Sequence, residues 1–398
     1  MPDDTKGKFP VLRQPASGIP AVTDTPEGLL EAVSSLLGGT GPVAIDTERA
    51  QGFRYDSCAR LVQIKRRGAG IFLIDTMALP DLSSLAPALQ APWIFHAPGG
   101  DLGPLADVGL VPPSLFDTEI AARLLGVESF SLRGVCEAIL GVTIDKAHQN
   151  EDWSLRPLPK DWLRYAALDV ELLPELCEQL SEQLMSLGRL EWANQEFEYE
   201  RLHPQVSRPS SWRNIKHLAK VRSEEGLAVA KELWIARDSL GKQLDIAPSR
   251  LLASSGIIEA ALVRPSTRRK LQSIAEFRRP KAREYTDIWL RAVRRAVNTP
   301  ALELPKKATQ TRKDGLPAAR SWKRLNPAAH ERLQVVREVV AGVADEVGIS
   351  PDIVLEPRVQ RQVTWTNSPI TSQALLDAGA RPWQVDLVTT PLRLVSCN

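Results

Sequence analysis

The chain has 398 residues, 43% of them hydrophobic, and nearly balanced charge, with 50 Lys+Arg against 48 Asp+Glu, a length that suits two or three packed domains. No apolar run reaches the ~20 residues a bilayer span needs, and the opening MPDDTKGKFPVLRQP lacks an apolar signal core, so no membrane association is expected and the expected location is cytoplasmic. Cys58, Cys136, Cys177 and Cys397 show no CxxC or Cys/His spacing, which argues against a zinc site or a disulfide framework.

In chain order, GPVAIDTE, ARLVQIKR and AGIFLIDT read as three successive strands, the last two joined by the turn RRGAG. SSLAPALQ follows as a short helix and PWIFHA as a fourth strand. GDLGPLADVG, FDTEIAARLLG, SLRGVCEAILG and the long DWLRYAALDVELLPELCEQLSEQLMSLG carry helical patterning, with Pro174 expected to kink or break the last. This alternation predicts an α/β domain over residues 1–205. From Trp212 the strands stop. KHLAKVRSEEGLAVAKELWIARDSLGKQLD, RLLASSGIIEAAL, RRKLQSIAEF and DIWLRAVRRAV predict a helical module over 206–298. Residues 299–327 are rich in Pro, Lys and Arg without apolar period and read as a linker. Residues 328–398 predict a second helical unit, similar to the first in opening with a long helix followed by PDIVL where the first has PSRLL.

Charge is distributed unevenly along this plan. Residues 201–330 hold 28 Lys+Arg and 11 Asp+Glu, a net of +17, leaving 22 basic and 37 acidic residues, a net of −15, elsewhere. A polycationic segment favours a polyanionic partner, because each phosphate it neutralises releases condensed counterions.

The acids point to chemistry. Asp46 and Glu48 are two apart, so on a strand they share a face, where they repel unless a cation sits beside them. A hard divalent ion such as magnesium would supply it. An isolated DTE is more often an exposed loop pair, but Asp101 follows the fourth strand at the start of a helix, at the sheet edge where α/β ligand sites lie. Tyr165 and Asp169, four apart, share one helix face. His96, His148 and Gln63 read as structural or surface residues.

IDTE, HAPGGD and YAALD, in this order, resemble the three exonuclease motifs of the DEDD superfamily, in the subgroup whose third motif carries tyrosine. EDWSLRPLPKDWLRYAALDVELLPEL is similar to ribonuclease D, whose members place a DWxxRPL segment before the YAAxDVxYLLPL helix. The basic module resembles the helicase-and-RNase-D C-terminal (HRDC) domain, and GARPWQVDLV resembles the second such domain of that family. Departures are His96 where many of these enzymes have asparagine, and Glu171 with Leu172 in place of the family's x and aromatic.

The resemblance implies a ribonuclease H-like α/β exonuclease domain, with a mixed sheet flanked by helices, followed by two all-α HRDC-type domains. It implies a 3′ to 5′ exoribonuclease that hydrolyses RNA with a free 3′ end, tRNA precursors or transcripts under turnover, to nucleoside 5′-monophosphates. Two divalent ions, Mg2+ or Mn2+, would serve without any organic cofactor. By the family pattern Asp46 would bridge both ions, Glu48 and Asp169 would bind the one that activates water, Asp101 would help hold the other, and Tyr165 would orient the water. Trp153 and Arg156 of DWSLRP are expected to stack on or pair with RNA, Trp153 serving equally well as a core anchor. The runs RPSTRRK, FRRPKAR and RAVRRAV offer Arg268, Arg269, Lys270, Arg278, Arg279, Arg294 and Arg295 as phosphate contacts, while Trp212, Trp234 and Trp289 read as core. A DNA-directed exonuclease of the same superfamily and a non-catalytic nucleic-acid-binding protein are the rivals. The DWxxRPL segment favours RNA, and the full set of five active-site side chains favours an enzyme.

Overall fold

The computed structural model describes residues 9–145, 148, 150–204, 211–307 and 315–396. Its strands are β1 (Val11–Leu12), β2 (Val22–Thr23), β3 (Thr40–Arg49), β4 (Ala59–Arg67), β5 (Gly70–Asp75), β6 (Trp93–Phe95), β7 (Leu115–Asp117) and β8 (Thr143–Ile144). Six of them form one mixed sheet in the order β2-β5-β4-β3-β6-β7, while β1 pairs with β8 apart from it. β3, β4 and β5 are antiparallel neighbours, and β6 runs parallel to β3. Val43, Ala44 and Ile45 are all fully buried, because a strand covered by helices on both faces is apolar without alternation. The RRGAG turn works through Gly68 and Gly70, at φ 83° and 97°, values that L side chains rarely adopt.

Two local expectations change. FDTEIAARLLG opens as β7 and becomes helical only at Thr118–Leu124, where the Asp117 side chain caps the Glu119 N–H. SSLAPALQ winds as a 3-10 helix, Ser83–Leu89, with Pro87 inside it. The expected break near Pro174 falls at Leu172: the helices Lys160–Glu171 and Leu173–Ser186 are separate, and Pro174 occupies the first turn of the second, where a missing N–H is harmless.

No strand follows β8 among the described residues. The middle module, built on helices Glu224–Leu244, Ser254–Val263 and Thr286–Val297, has its own core of Leu233, Ile257, Phe277 and Trp289. It meets the sheet domain through the loop after β3. There Ala247 N–H donates to the Phe53 carbonyl at 2.9 Å and Arg250 to the Gly52 carbonyl at 2.6 Å. Tyr55 donates to Asp238 at 3.1 Å, and Arg54 pairs with Asp245 at 3.3 Å.

The C-terminal helices, Pro327–Val347, Pro357–Trp365 and Pro382–Ser396, attach differently. Val340, Val354, Leu375, Trp383 and Leu392 belong to the same continuous core as Ile45, Ile64 and Phe95 of the sheet. Trp383 stacks on Trp192 at 4.9 Å, and the buried Arg381 pairs with Glu196 at 2.7 Å. The unit expected over 328–398 therefore shares its core with the sheet domain. Residues 299–327 are not a linker throughout: Trp322 is fully buried against Ala329 and Leu333, with Leu316 packed on the same cluster, because a tryptophan beside the first turn of a long helix finds an apolar face to cover. Among the described residues no helix is long and apolar enough to cross a membrane.

Candidate active site

β3 carries the first two acids out of the core. Asp46 lies opposite Gln63 and Glu48 opposite Leu61 on β4. The helix Lys160–Glu171 packs over these strands with Ala166, Ala167 and Val170 fully buried, and small residues let it approach closely enough to bring Asp169 beside the strand acids. One carboxylate oxygen from each of Asp46, Glu48 and Asp169 lies within 4.8 Å of the others. Glu171 ties this helix down: Lys65 of β4 donates to its carboxylate at 2.9 Å and Ala16 N–H at 3.0 Å.

Asp101 reaches the same cleft by another route. After β6, Ala97 adopts a left-handed conformation at φ 59°, unusual for a residue with a Cβ. The Asp117 carboxylate accepts its N–H at 2.8 Å and fixes it there. The chain then turns through Pro98–Gly100 to Asp101, which accepts a short hydrogen bond from Thr47. A cleft of ≈ 200 Å³ is lined by Asp46, Glu48, Arg49, His96, Asp101, Tyr165 and Asp169, among others. Asp101 lies on its wall rather than in the three-carboxylate cluster.

The electrostatics follow from this crowding. Burial first, then the charges of Asp46, Asp169 and Asp101, hold the Glu48 carboxyl well above its usual range. Asp101 is also raised, by burial, against the opposing pull of Thr47 and Arg49. Burial and the neighbouring Asp169, Glu48 and Asp46 push the Tyr165 phenol far up, so it stays protonated. Carboxylates pressed together this way favour a cation, and a set of all-oxygen donors suits a hard divalent one. Gln63, fully buried across the ladder from Asp46, leaves both amide atoms without a protein partner among the described residues, which fits hydrogen bonding to the hydration shell of a cation held at Asp46.

Behind the cleft lies a second acidic pair. Burial pushes Asp117 up to about 7, and burial with the Asp117 charge and hydrogen bond pushes Glu200 up to about 8.

Of the residues expected to touch RNA, two are placed otherwise. Trp153 is fully buried, with its ring 5.3 Å from that of Trp162 and 6.3 Å from that of Tyr165, so it anchors the core behind the tyrosine and cannot stack on a base. Arg156 is fully engaged by the protein. It makes a two-pronged contact with Asp75 at 2.6 Å on each prong and donates to the carbonyls of Arg60, Trp153 and Leu155. His148, read as structural or surface, stands edge-on to the Tyr165 ring at 6.1 Å. His96 contacts the Thr118 hydroxyl at 2.8 Å.

Arg268, Arg269, Lys270, Arg278, Arg279, Arg294 and Arg295 are all exposed. Arg269 and Arg278 line a hollow of ≈ 510 Å³ together with Arg283. Arg279 faces a chamber of ≈ 520 Å³ between the module and the sheet domain, alongside Arg54, Arg250 and Lys281. Arg268 pairs with Asp287 at 2.6 Å and Arg295 with Glu232 at 2.9 Å. Trp289 is core, as expected. Arg49, inside the cleft, carried no signal in the sequence beyond its place after the acids.

Three family models match the chain: a 3′–5′ exonuclease over residues 21–185, an HRDC domain over 226–293, and a 3′ to 5′ exonuclease C-terminal domain over 315–393. Ribonuclease D of Nitrobacter hamburgensis is 29% identical over 351 residues, covering 83% of this chain and 88% of its own. A protein of known structure from Bifidobacterium adolescentis is 36% identical and superposes with a TM-score of 0.91 over 98% of this chain and 100% of its own. Escherichia coli RNase D, described as an exoribonuclease involved in structured RNA processing, shares the fold at 22% identity, with a TM-score of 0.68 over 94% of this chain and 98% of its own.

Proposed function

The chain belongs to the ribonuclease D family, and on that premise we propose that it is a 3′ to 5′ exoribonuclease that removes nucleoside 5′-monophosphates one at a time from RNA in the cytoplasm. The observation that carries the reading is the convergence of Asp46, Glu48 and Asp169 within 4.8 Å in a cleft shared with Asp101 and Tyr165. We assign two divalent ions, Mg2+ or Mn2+, to these four carboxylates. Bound there, such ions offset the charge of the scissile phosphate and lower the pKa of the attacking water.

The protein's own groups supply the rest. Glu48, held protonated more readily than an ordinary carboxylate, releases its proton when a cation binds, so loading the site is favoured as pH rises. The Tyr165 phenol is pushed far up by burial and the neighbouring carboxylates; it orients the attacking water through its hydroxyl, on the helix face it shares with Asp169. Thr47 fixes the Asp101 carboxylate from the side. The module spanning the HRDC match holds the body of the RNA through Arg269, Arg278 and Arg283, which meet in one hollow. The substrates are RNAs with free 3′ ends, tRNA precursors among them.

The test compares 3′-labelled with 5′-labelled RNA, with Mg2+, with Mn2+ and with chelator. The 3′ label should appear at once as mononucleotide, the 5′ label only as a descending ladder, and both signals should vanish with chelator. Asp46→Asn and Asp169→Asn should each lower the rate by roughly 10³-fold or more. Wild-type rates in either variant would overturn the site assignment. Equal cleavage of single-stranded DNA would overturn the assignment to RNA, and a pre-tRNA with a 3′ trailer tests the proposed substrate.

A further inference from the structure

Arg49 brings a positive charge into a cleft that also holds the carboxylates of Asp46, Glu48, Asp101 and Asp169. Simple alternation along β3 would send it to the face opposite Asp46 and Glu48. The register shifts between Glu48 and Arg49, which face Leu61 and Ala59 respectively, and such bulges re-aim side chains beside active sites. The guanidinium lies against Gly100, where an added Cβ would sit 2.5 Å from one of its nitrogens, and 3.8 Å from Asp101. Its charge also acts on Glu48, and the guanidinium makes no hydrogen bond among the described residues. The contrast with Arg156 is direct, since there the guanidinium is bound on all sides by protein acceptors.

Position adds to chemistry. Arg49 lines the catalytic cleft and also a neighbouring groove of ≈ 260 Å³ formed with Gln51, Gly52, Phe53, Asn150 and Glu151. Phe53 then borders the chamber that Arg279 and Lys281 face. A strand whose 3′ end sits among the carboxylates would leave along this path toward the basic module.

We propose that Arg49 forms a phosphate subsite, with its guanidinium binding a backbone phosphate on the 5′ side of the scissile linkage. The inference rests on the RNA hydrolysis proposed above. Guanidinium matches a phosphate in a two-pronged geometry that lysine cannot reproduce. The side chain is 24% exposed, open enough to meet a ligand while Gly100 and Asp101 keep it aimed.

The test uses the full chain carrying Arg49→Gln or Arg49→Lys and two substrates: a short oligoribonucleotide, and a dinucleoside monophosphate whose only phosphate is the scissile one. With Arg49→Gln, KM for the oligonucleotide should rise about tenfold, with kcat within about twofold and the dinucleoside monophosphate unaffected. Fluorescence anisotropy of the labelled oligonucleotide in chelator should show the salt slope reduced by about 0.7, the loss of one phosphate contact on a single strand. Arg49→Lys should restore part of the affinity, and Mn2+ affinity by calorimetry should not fall. If KM rises equally for both substrates, if the salt slope is unchanged, or if Mn2+ affinity drops together with kcat, Arg49 merely braces Asp101 and the subsite is refuted. A wild-type protein that neither binds nor cleaves RNA would overturn the exoribonuclease reading itself, and the subsite with it.

Discussion

The two helical regions that follow the nuclease sheet are held to it in opposite ways. The HRDC-matching module has a core of its own and meets the sheet domain at the loop after β3, by hydrogen bonds to backbone and half-exposed side chains such as Arg54 and Asp245. The C-terminal helices share the nuclease core and are locked by Arg381 buried against Glu196. The difference separates roles: the C-terminal helices complete the nuclease, whereas the module is an appended arm. The surplus of 28 basic over 11 acidic residues in 201–330 centres on that arm, where positive charge can meet RNA without sitting in the apolar core that the nuclease sheet shares with the C-terminal helices.

The sharpest way to break this contrast is Arg381→Met. It leaves Glu196 buried without its ionic partner, which costs about 3–5 kcal/mol, and thermal denaturation should show sheet and C-terminal helices melting together at a lower temperature. A separate early transition of the C-terminal helices, with the nuclease intact, would mean the core is not shared. The next effect is on pH. Asp117 and Glu200, lifted to about 7 and about 8 in the fold, bind protons that the unfolded chain gives up near pH ~4. The stability they contribute to the nuclease core is complete below that and fades as pH rises through 7 and 8. Chemical denaturation at pH 5 and pH 9 should record it, and Glu200→Gln should flatten the profile.

Changes in the arm should leave stability alone. Replacing Arg269, Arg278 and Arg283 together with glutamine should weaken RNA binding and lower the salt slope by about 0.7 per lost contact, with no change in Tm. Smallest of all, Arg54→Ala removes a half-exposed ion pair with Asp245 and a hydrogen bond to Ser154, and should cost about 1–2 kcal/mol. A large drop in Tm from Arg54→Ala would show the module to be as firmly built in as the C-terminal helices.

Asp46, Glu48, Asp101, Tyr165 and Asp169 stand out in the sequence through the resemblance of IDTE, HAPGGD and YAALD to three exonuclease motifs, with strand and helix periodicity and an acid at a strand end consistent with it. Trp153 and Arg156 could not be assigned that way. An indole or guanidinium serves equally in a core and on RNA, and the choice depends on Trp162, Tyr165 and Asp75, which the fold alone brings near. Arg49 was hidden because a bulge breaks the period that would have placed it. The fate of the C-terminal helices was hidden for a similar reason: Trp383 meets Trp192 across 191 positions of sequence, and no local pattern records such a pairing.

That long-range closure bears on how the protein is made. A core begun by Leu29 and finished by Leu392 cannot seal until Leu392 has left the ribosome. The strands that carry Asp46 and Glu48 are therefore synthesised long before the layer that covers their domain, and the nascent nuclease carries incomplete apolar surface until that layer emerges.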